Sequence, residues 1–381
     1  MRILVLIHEY PPVGGGGGRV AQDLCRGLAA RGHEIRVLTA HLKGLPFRET
    51  GDGFEVIRLR SGRRLPYKAG LSALAGYVLA AAWTGWRLAR TWRPDVIHVH
   101  FAVPAGPAAL FISRLTGIPY VLTAHLGDVP GGTPEKTGRW FRWIYPLTPP
   151  VWKSAARVVA VSEFTRELAA RSYPVEVQVI PNGVDLAALD PGLVKTGSPP
   201  LLVFAGRFVQ QKNPLQVVRT LAEQRDLPWR CVMLGDGPLR AEVEAEIDRQ
   251  NLRDRFTLPG WVEPQDVIDW FKKADILFMP SLSEGLPVVG VQALAMGLAI
   301  VAGNVGGFVD LVEPGVNGCL FDPANPQAAG EALRRLLMQP QFLQAQREAS
   351  RKAAERFDLG AIVARYEMTL NRAARKASGV G

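Results

Sequence analysis

Short apolar runs alternate with longer stretches of helical periodicity along almost the whole chain. In the first half, the strand-like runs are residues 2–7, 34–39, 54–59, 95–100, 120–123, 157–161 and 177–180. Helical patterns at 20–31, 71–90 and 139–155 lie between them. In the second half the runs are 201–205, 230–234, 255–258, 275–279, 299–302 and 318–321, again with helices between. After Pro340 the pattern is helical only, to about Ala374. Continuously apolar strands joined by helices are those of parallel sheets covered on both faces. Two such series predict two doubly wound α/β domains. Both periods break over residues 186–200, which hold Pro191, Gly192, Gly197, Ser198, Pro199 and Pro200. The predicted domains are therefore 1–190 and 191–357, with a closing segment 358–381.

Residues 69–86 carry no charge and approach the lower limit of about 17 residues for a spanning helix. They include Ser72, Thr84 and three glycines, and strand–helix alternation continues on both sides. A helix packed on a sheet fits best, with Leu71, Leu74, Val78, Leu79 and Ala82 on one side and small residues on the other. The alternative is a membrane-surface helix anchored by Trp83, Trp86 and Trp92. Residues 1–7 are too short an apolar run for a signal peptide and read as a buried first strand.

Composition adds an asymmetry. The net charge is +10; residues 1–195 hold 24 Lys and Arg against 14 Asp and Glu, and residues 196–381 hold 21 of each. All six His also lie in the first half. A charged fraction of 21% with 48% hydrophobic residues excludes a disordered chain. A basic half points to anionic partners. Nucleic acid is not expected, because no recognition motif occurs. The run Arg139-Trp140-Phe141-Arg142-Trp143, with Arg60, Arg63, Arg64 and Lys68, suits peripheral contact with a lipid surface. Cys25, Cys231 and Cys319 are widely spaced, which fits a reducing cytoplasm and no disulfide framework.

Candidate chemistry sits where strands give way to helices. After the first strand come five glycines, Gly14 to Gly18, and then Arg19. Glycine permits close approach of backbone to a ligand, and a helix start offers amides to an anion; a plain flexible turn remains open. In the second half Gly206-Arg207-Phe208 follows a strand, and Lys212-Asn213-Pro214 comes next. An Arg and a Lys there can clamp a diphosphate, one as a planar fork and one as a point charge. Two further loops, Pro280 to Pro287 and Gly303 to Asp310, would converge with it in one crevice.

Taken together these residues resemble the GT-B glycosyltransferases, and within them the large retaining family 4. The resemblance covers nearly the whole chain, and its elements stand in family order. They are the glycine loop, Asp-Val-Ile-His-Val-His at 95–100, Ala124-His125-Leu126-Gly127-Asp128, and Val161-Ser162-Glu163. Pro181-Asn182-Gly183-Val184-Asp185, Gly206-Arg207 with Lys212, Leu234-Gly235-Asp236-Gly237-Pro238 and Ser283-Glu284-Gly285 follow. It implies two Rossmann-like domains facing each other across a cleft, with the closing helix packed on the first. Two positions depart from the pattern: Gln292 stands where the family usually has Glu, and Gly306-Gly307-Phe308-Val309 ends in Asp310 instead of Glu. An amide has one acceptor oxygen where a carboxylate has two.

The resemblance implies transfer of a sugar from a nucleotide diphosphate sugar, UDP- or GDP-linked, to a lipid-linked, polysaccharide or small-molecule acceptor. Arg207, Lys212, Glu284 and His125 are the expected catalytic residues. Donor contacts would come from Gly16, Gly17, Gly206, Trp261, Val262, Ser283, Gly285, Leu286, Pro287, Gln292, Gly306 and Gly307, with backbone amides near the last two. Asp128 and Arg19 would serve the acceptor. No Asp-x-Asp occurs, so no metal is expected. The departures keep open a donor-binding protein without transfer, and a nucleotide-sugar 2-epimerase is a further alternative.

Overall fold

The computed structural model describes residues 1–65, 69–133 and 141–377. They form two compact units, Met1–Gly183 with Leu359–Gly381, and Val184–Asp358. The division thus falls after Gly183, ahead of the 190/191 boundary read from the sequence, and again after Asp358. The Val184 N–H donates to the Phe357 carbonyl at 2.9 Å, so the chain enters and leaves the second unit side by side. The Pro/Gly segment that looked like a linker belongs to the second unit, where Gly197 N–H donates to Asp275 Oδ1 at 2.9 Å.

The first unit holds one sheet of β1 (Arg2–Leu6), β2 (Glu34–Ala40), β3 (Arg48–Gly51), β4 (Phe54–Leu59), β5 (Val96–His100), β6 (Tyr120–Ala124), β7 (Arg157–Ala160) and β8 (Val177–Val179). Their order is β3-β4-β2-β1-β5-β6-β7-β8. All are parallel except β3, which pairs antiparallel with β4. β3 reads Arg-Glu-Thr-Gly and is exposed throughout, so it leaves no apolar trace in the sequence. Helices α1 (Gly16–Ala30), α2 (Leu71–Thr91) and α3 (Ala105–Thr116) connect the strands. The helix expected over 139–155 is instead two short helices, Phe141–Ile144 and Pro149–Lys153, with a 3-10 turn Tyr145–Leu147 between. Pro146, Pro149 and Pro150 remove the donors a continuous helix needs. Arg139, Trp140 and Lys68 lie outside the described residues. The final helix, Leu359–Ala377, lies against α1, where a Cβ on Gly27 would come within 2.4 Å of Val363.

α2 buries the opposite side from the one its large residues suggested. Ala73, Tyr77, Ala81, Gly85 and Ala89 face the core, one every fourth position. Small side chains let α2 approach α3 closely: a Cβ on Gly85 would lie 2.4 Å from Ile112 Cδ1. Trp92 is buried and donates to Glu34 at 2.5 Å, so it is no surface anchor. Arg63 is buried too, and donates to the Leu65 and His8 carbonyls at 3.0 and 3.3 Å. Among the described residues no helix is long and apolar enough to cross a membrane.

The second unit holds β9 (Leu201–Ala205), β10 (Arg230–Leu234), β11 (Phe256–Gly260), β12 (Ile276–Met279), β13 (Ala299–Gly303) and β14 (Gly318–Phe321). All are parallel, in the order β11-β10-β9-β12-β13-β14. Strand order reverses at β1/β5 in the first sheet and at β9/β12 in the second, and crevices open beyond strand ends at such points.

One buried ion pair ties the second unit together. Arg347 pairs with Asp275, and both side chains are almost wholly buried. Arg347 also donates to the carbonyls of Gly297 (2.9 Å) and Lys195 (2.6 Å). Asp275 also accepts from Leu201 N–H at 2.7 Å, at the start of β9. Removing one partner of such a pair strands the other charge. Arg347→Ala should therefore lower stability by about 3–5 kcal/mol, read as an earlier urea midpoint.

Candidate functional site

In the second unit three loops meet beyond the carboxyl ends of β9, β12 and β13. The first leaves β9 through Gly206 and Arg207, runs through a 3-10 turn at Gln210–Lys212, and starts a helix at Pro214. Asn213 sits at φ 49°, ψ 51°, and Pro214 fixes the first helical turn. The aliphatic stem of Lys212 packs over Gly206, where a Cβ would meet its Cδ at an ordinary contact distance of 3.6 Å. Lys212 Nζ then donates to Glu284 Oε1 at 2.5 Å. That pair is nearly withdrawn from water, with side-chain exposures of 19% and 6%.

The loops are stitched through their backbones. Leu282 N–H donates to the Gln211 carbonyl at 2.8 Å, and Gln211 Nε2 donates to the Ser283 carbonyl at 2.9 Å. From the third loop, Gly306 sits at φ +55°, and an added Cβ would lie 1.7 Å from the Glu284 carbonyl oxygen. Gly307 meets the Gly285 carbonyl at 2.0 Å in the same way. Only glycine fits both places. Gly307 N–H donates to the Glu284 carbonyl at 3.3 Å. The helix after it, Phe308–Leu311, is a single turn. Leu286 and Pro287 are buried. Gln292 is half-buried on the helix Val288–Ala295, and Arg207 is exposed on the β9 loop.

A fourth loop closes the same edge. Gly235 (φ +132°) would place a Cβ 2.1 Å from the Gly206 carbonyl oxygen, and its N–H donates to Gly260 at 2.9 Å. Beyond Gly260, Trp261 is 67% exposed and Val262 half-buried. Of the residues read from the sequence, Gly206, Lys212, Ser283, Glu284, Gly285, Gly306 and Gly307 are brought into contact through these loops.

In the first unit the glycine run is partly helix. Gly16, Gly17 and Gly18 form the first turn of α1, and Gly15 caps it without a side-chain bond or a first-turn acid. Gly17 is held close to Phe101: a Cβ would come within 2.6 Å of its ring. Arg19 is exposed and lies 3.8 Å from Asp23. Phe101 itself adopts φ +70°. That conformation costs a bulky residue about 1–3 kcal/mol, and such residues gather at functional sites. No sequence pattern marks it.

The Phe101 ring lies tilted against His125 (centroids 4.3 Å apart) and meets His8 edge-to-face at 5.2 Å. The His125 ring accepts from the Asp128 main-chain N–H, and its Nε2 lies 3.3 Å from His100 Nδ1. Fully buried His100 Nε2 has no hydrogen-bond partner among the described residues. His98 Nε2 lies 2.9 Å from Thr123 Oγ1. Asp128 is buried, and it accepts from Ala102 N–H at 2.5 Å and His125 N–H at 2.8 Å. It therefore ties together the loops after β5 and β6. Two surface depressions lie away from all these loops, one lined by Arg219, Glu223, Arg225 and Glu246, the other by Met1, Asp95 and Arg375.

Residues 14–188 match the model of Glycosyltransferase Family 4, and residues 188–355 that of Glycosyl transferases group 1. A 2-deoxystreptamine glucosyltransferase of Streptomyces kanamyceticus is 29% identical over 384 residues, covering 92% of this chain and 98% of the relative. A 2-deoxystreptamine N-acetyl-D-glucosaminyltransferase of Streptomyces fradiae is 31% identical over 361 residues, covering 85% and 84%. Among solved structures, sucrose-phosphate synthase from Thermosynechococcus elongatus superposes with TM-score 0.85 at 21% identity, over 97% of this chain and 98% of that one. Anabaena HepE in complex with UDP-glucose gives 0.74 at 20% identity, over 97% and 99%. These structures share the GT-B fold of two Rossmann-like domains.

Two outcomes follow from the geometry. Lys212→Met leaves Glu284 buried without its cation and should cost on the order of 3 kcal/mol. Lys212→Met with Glu284→Gln should recover most of that loss, as a double-mutant cycle in urea would show. The second concerns acid. Burial lowers His98 and His125 to about 3, helped by neighbouring His side chains, and lowers His8 to about 3, helped by Arg63. Burial also holds His100 well below 6.5. The stability these four contribute is fully present above about pH 6.5 and is lost as pH falls toward 3. Asp128, raised by burial to about 7, works the other way: its share is present below its ordinary 3.8 and is lost as pH rises through 7. Histidines dominate, so unfolding at pH 5 should take up several protons, counted by calorimetry in buffers of different ionisation enthalpy. His98→Asn should remove about one of them.

Proposed function

The chain belongs to the glycosyl transferases group 1 family, and from that premise we propose that it moves a sugar from a UDP- or GDP-linked donor to its acceptor with retention of configuration. The observation that carries this reading is the Lys212–Glu284 pair set where three loops meet at the β9/β12 switch point. Lysine has three donors, and one is spent on Glu284. The remaining two, with the fork of exposed Arg207, would hold the donor diphosphate and offset charge growing on the leaving nucleotide. Glu284 would take sugar hydroxyls with its other oxygen. Gln292 would reach the ribose with one acceptor where the family usually offers two. Exposed Trp261 supplies a face on which the base can stack.

Among the described residues of the first unit no carboxylate nucleophile stands out, and buried Asp128 is occupied by two amides. This favours attack on an oxocarbenium-like centre from the face the nucleotide leaves. The departing phosphate would accept the acceptor's proton. Charge on the diphosphate would be balanced by Arg207 and Lys212 and not by a metal. Arg19 of the first unit would serve the acceptor, which we take to be a small-molecule, polysaccharide or lipid-linked hydroxyl. His125 would act as a neutral hydrogen-bonding group, since burial holds it uncharged at neutral pH.

Gln292 also supports a second reading, a protein that binds the donor without transfer. A panel of radiolabelled nucleotide sugars separates the two. Transfer or slow donor hydrolysis, with the product's anomeric configuration retained by NMR, is the expected result. Donor should also raise the melting temperature by mass action, and Arg207→Ala should reduce transfer at least a hundredfold. Binding without turnover would leave only the second reading. Normal turnover in Arg207→Ala would remove the diphosphate assignment.

A further inference from the structure

The outward side of α2 and α3 belongs neither to the core nor to the glycine loop. Leu71, Leu79 and Trp83 on α2 are 65%, 73% and 60% exposed, and Phe111 and Leu115 on α3 are 46% and 58% exposed. Leu71, Ala75, Leu79 and Trp83 recur every fourth residue and make a ridge about 18 Å long. The Gly85–Ile112 contact sets the two helices side by side at the level of Trp83 and Phe111. The apolar side chains of α3 therefore stand next to that ridge. Contiguous exposed apolar surface of this kind marks a place of interaction.

The charge around it has one sign. Between Val56 and Gly127 the sequence holds nine Lys or Arg and one acid, Asp95. Neither helix contains an Asp or Glu. Arg87 and Arg90 on α2 and Arg114 on α3 are exposed. Arg90 stacks over Trp86 at 5.2 Å, and Trp86 in turn meets Trp83 at 5.2 Å. Arginines beside an apolar ridge carrying an indole suit headgroup phosphates and the acyl boundary beneath them. A second copy of the chain suits it poorly, because a two-fold contact would set arginine rim against arginine rim.

We propose that the outer face of α2 and α3 docks on an anionic lipid bilayer, with Leu71, Leu79, Trp83, Phe111 and Leu115 entering the interface and Arg87, Arg90 and Arg114 meeting phosphates. The inference goes beyond sugar transfer, and its test reads binding alone. The full-length protein is sedimented with vesicles of phosphatidylcholine, and with vesicles of phosphatidylcholine and phosphatidylglycerol. Binding is expected to the second only, weakened by salt and accompanied by a blue shift of tryptophan emission. Leu79→Ser with Trp83→Ser should bind at least tenfold more weakly, and Arg87→Glu with Arg90→Glu should lose the preference for anionic vesicles. Both sets are surface positions, and unchanged melting temperatures would show the fold intact. The proposal is overturned if neither vesicle binds, if both bind equally, or if the variants bind as the parent does. It is also overturned if the protein dimerises in solution and Leu79→Ser with Trp83→Ser abolishes the dimer, or if an acidic protein binds this face while vesicles do not.

Discussion

Everything at the site depends on one contact between main chains. Gly306 and Gly307 rest directly on the carbonyls of Glu284 and Gly285, at separations that no side chain could share. That contact fixes where the Glu284 backbone runs. The carboxylate is then aimed at Lys212, whose stem packs over Gly206 at ordinary contact distance. Four loops from different strands thus inherit their positions from places where a Cβ is missing. A charged pair with so little water around it keeps its geometry only because the peptide frame beneath cannot shift.

Much of this was legible because parallel strands leave continuous apolar runs. Thirteen of the fourteen strands announce themselves in that way, and the loops of the candidate site follow from where those runs end. β3 was not legible, since a fully exposed antiparallel edge strand buries nothing. The buried face of α2 was misread because size was taken as the guide. Close approach to α3 selects small residues, so the large apolar side chains are the ones left outside. The start of α1 was displaced for a related reason: glycine is a poor helix former, yet three glycines open this helix where Phe101 and Glu9 allow nothing larger at Gly17 and Gly18.

Side-chain pairing was the least readable layer. Arg347 and Asp275 are 72 residues apart, and nothing in either neighbourhood forecasts their meeting. The same holds for the histidines. His98 and His100 looked like alternate residues on one strand, but their surroundings come from β6 and from the final helix, through Thr123, His125 and Tyr366. Sequence names the residue types, while burial and neighbours decide which can carry charge.

Asp128 gives the first unit a mechanical linkage. One oxygen holds the loop after β5 at Ala102, and the other holds the loop after β6 at His125. The two loops are therefore yoked like the arms of a bracket. The imidazole also packs against Phe101, the ring on which Gly17 leans. Occupancy near the histidine would be felt at the mouth of α1 without any hinge between them.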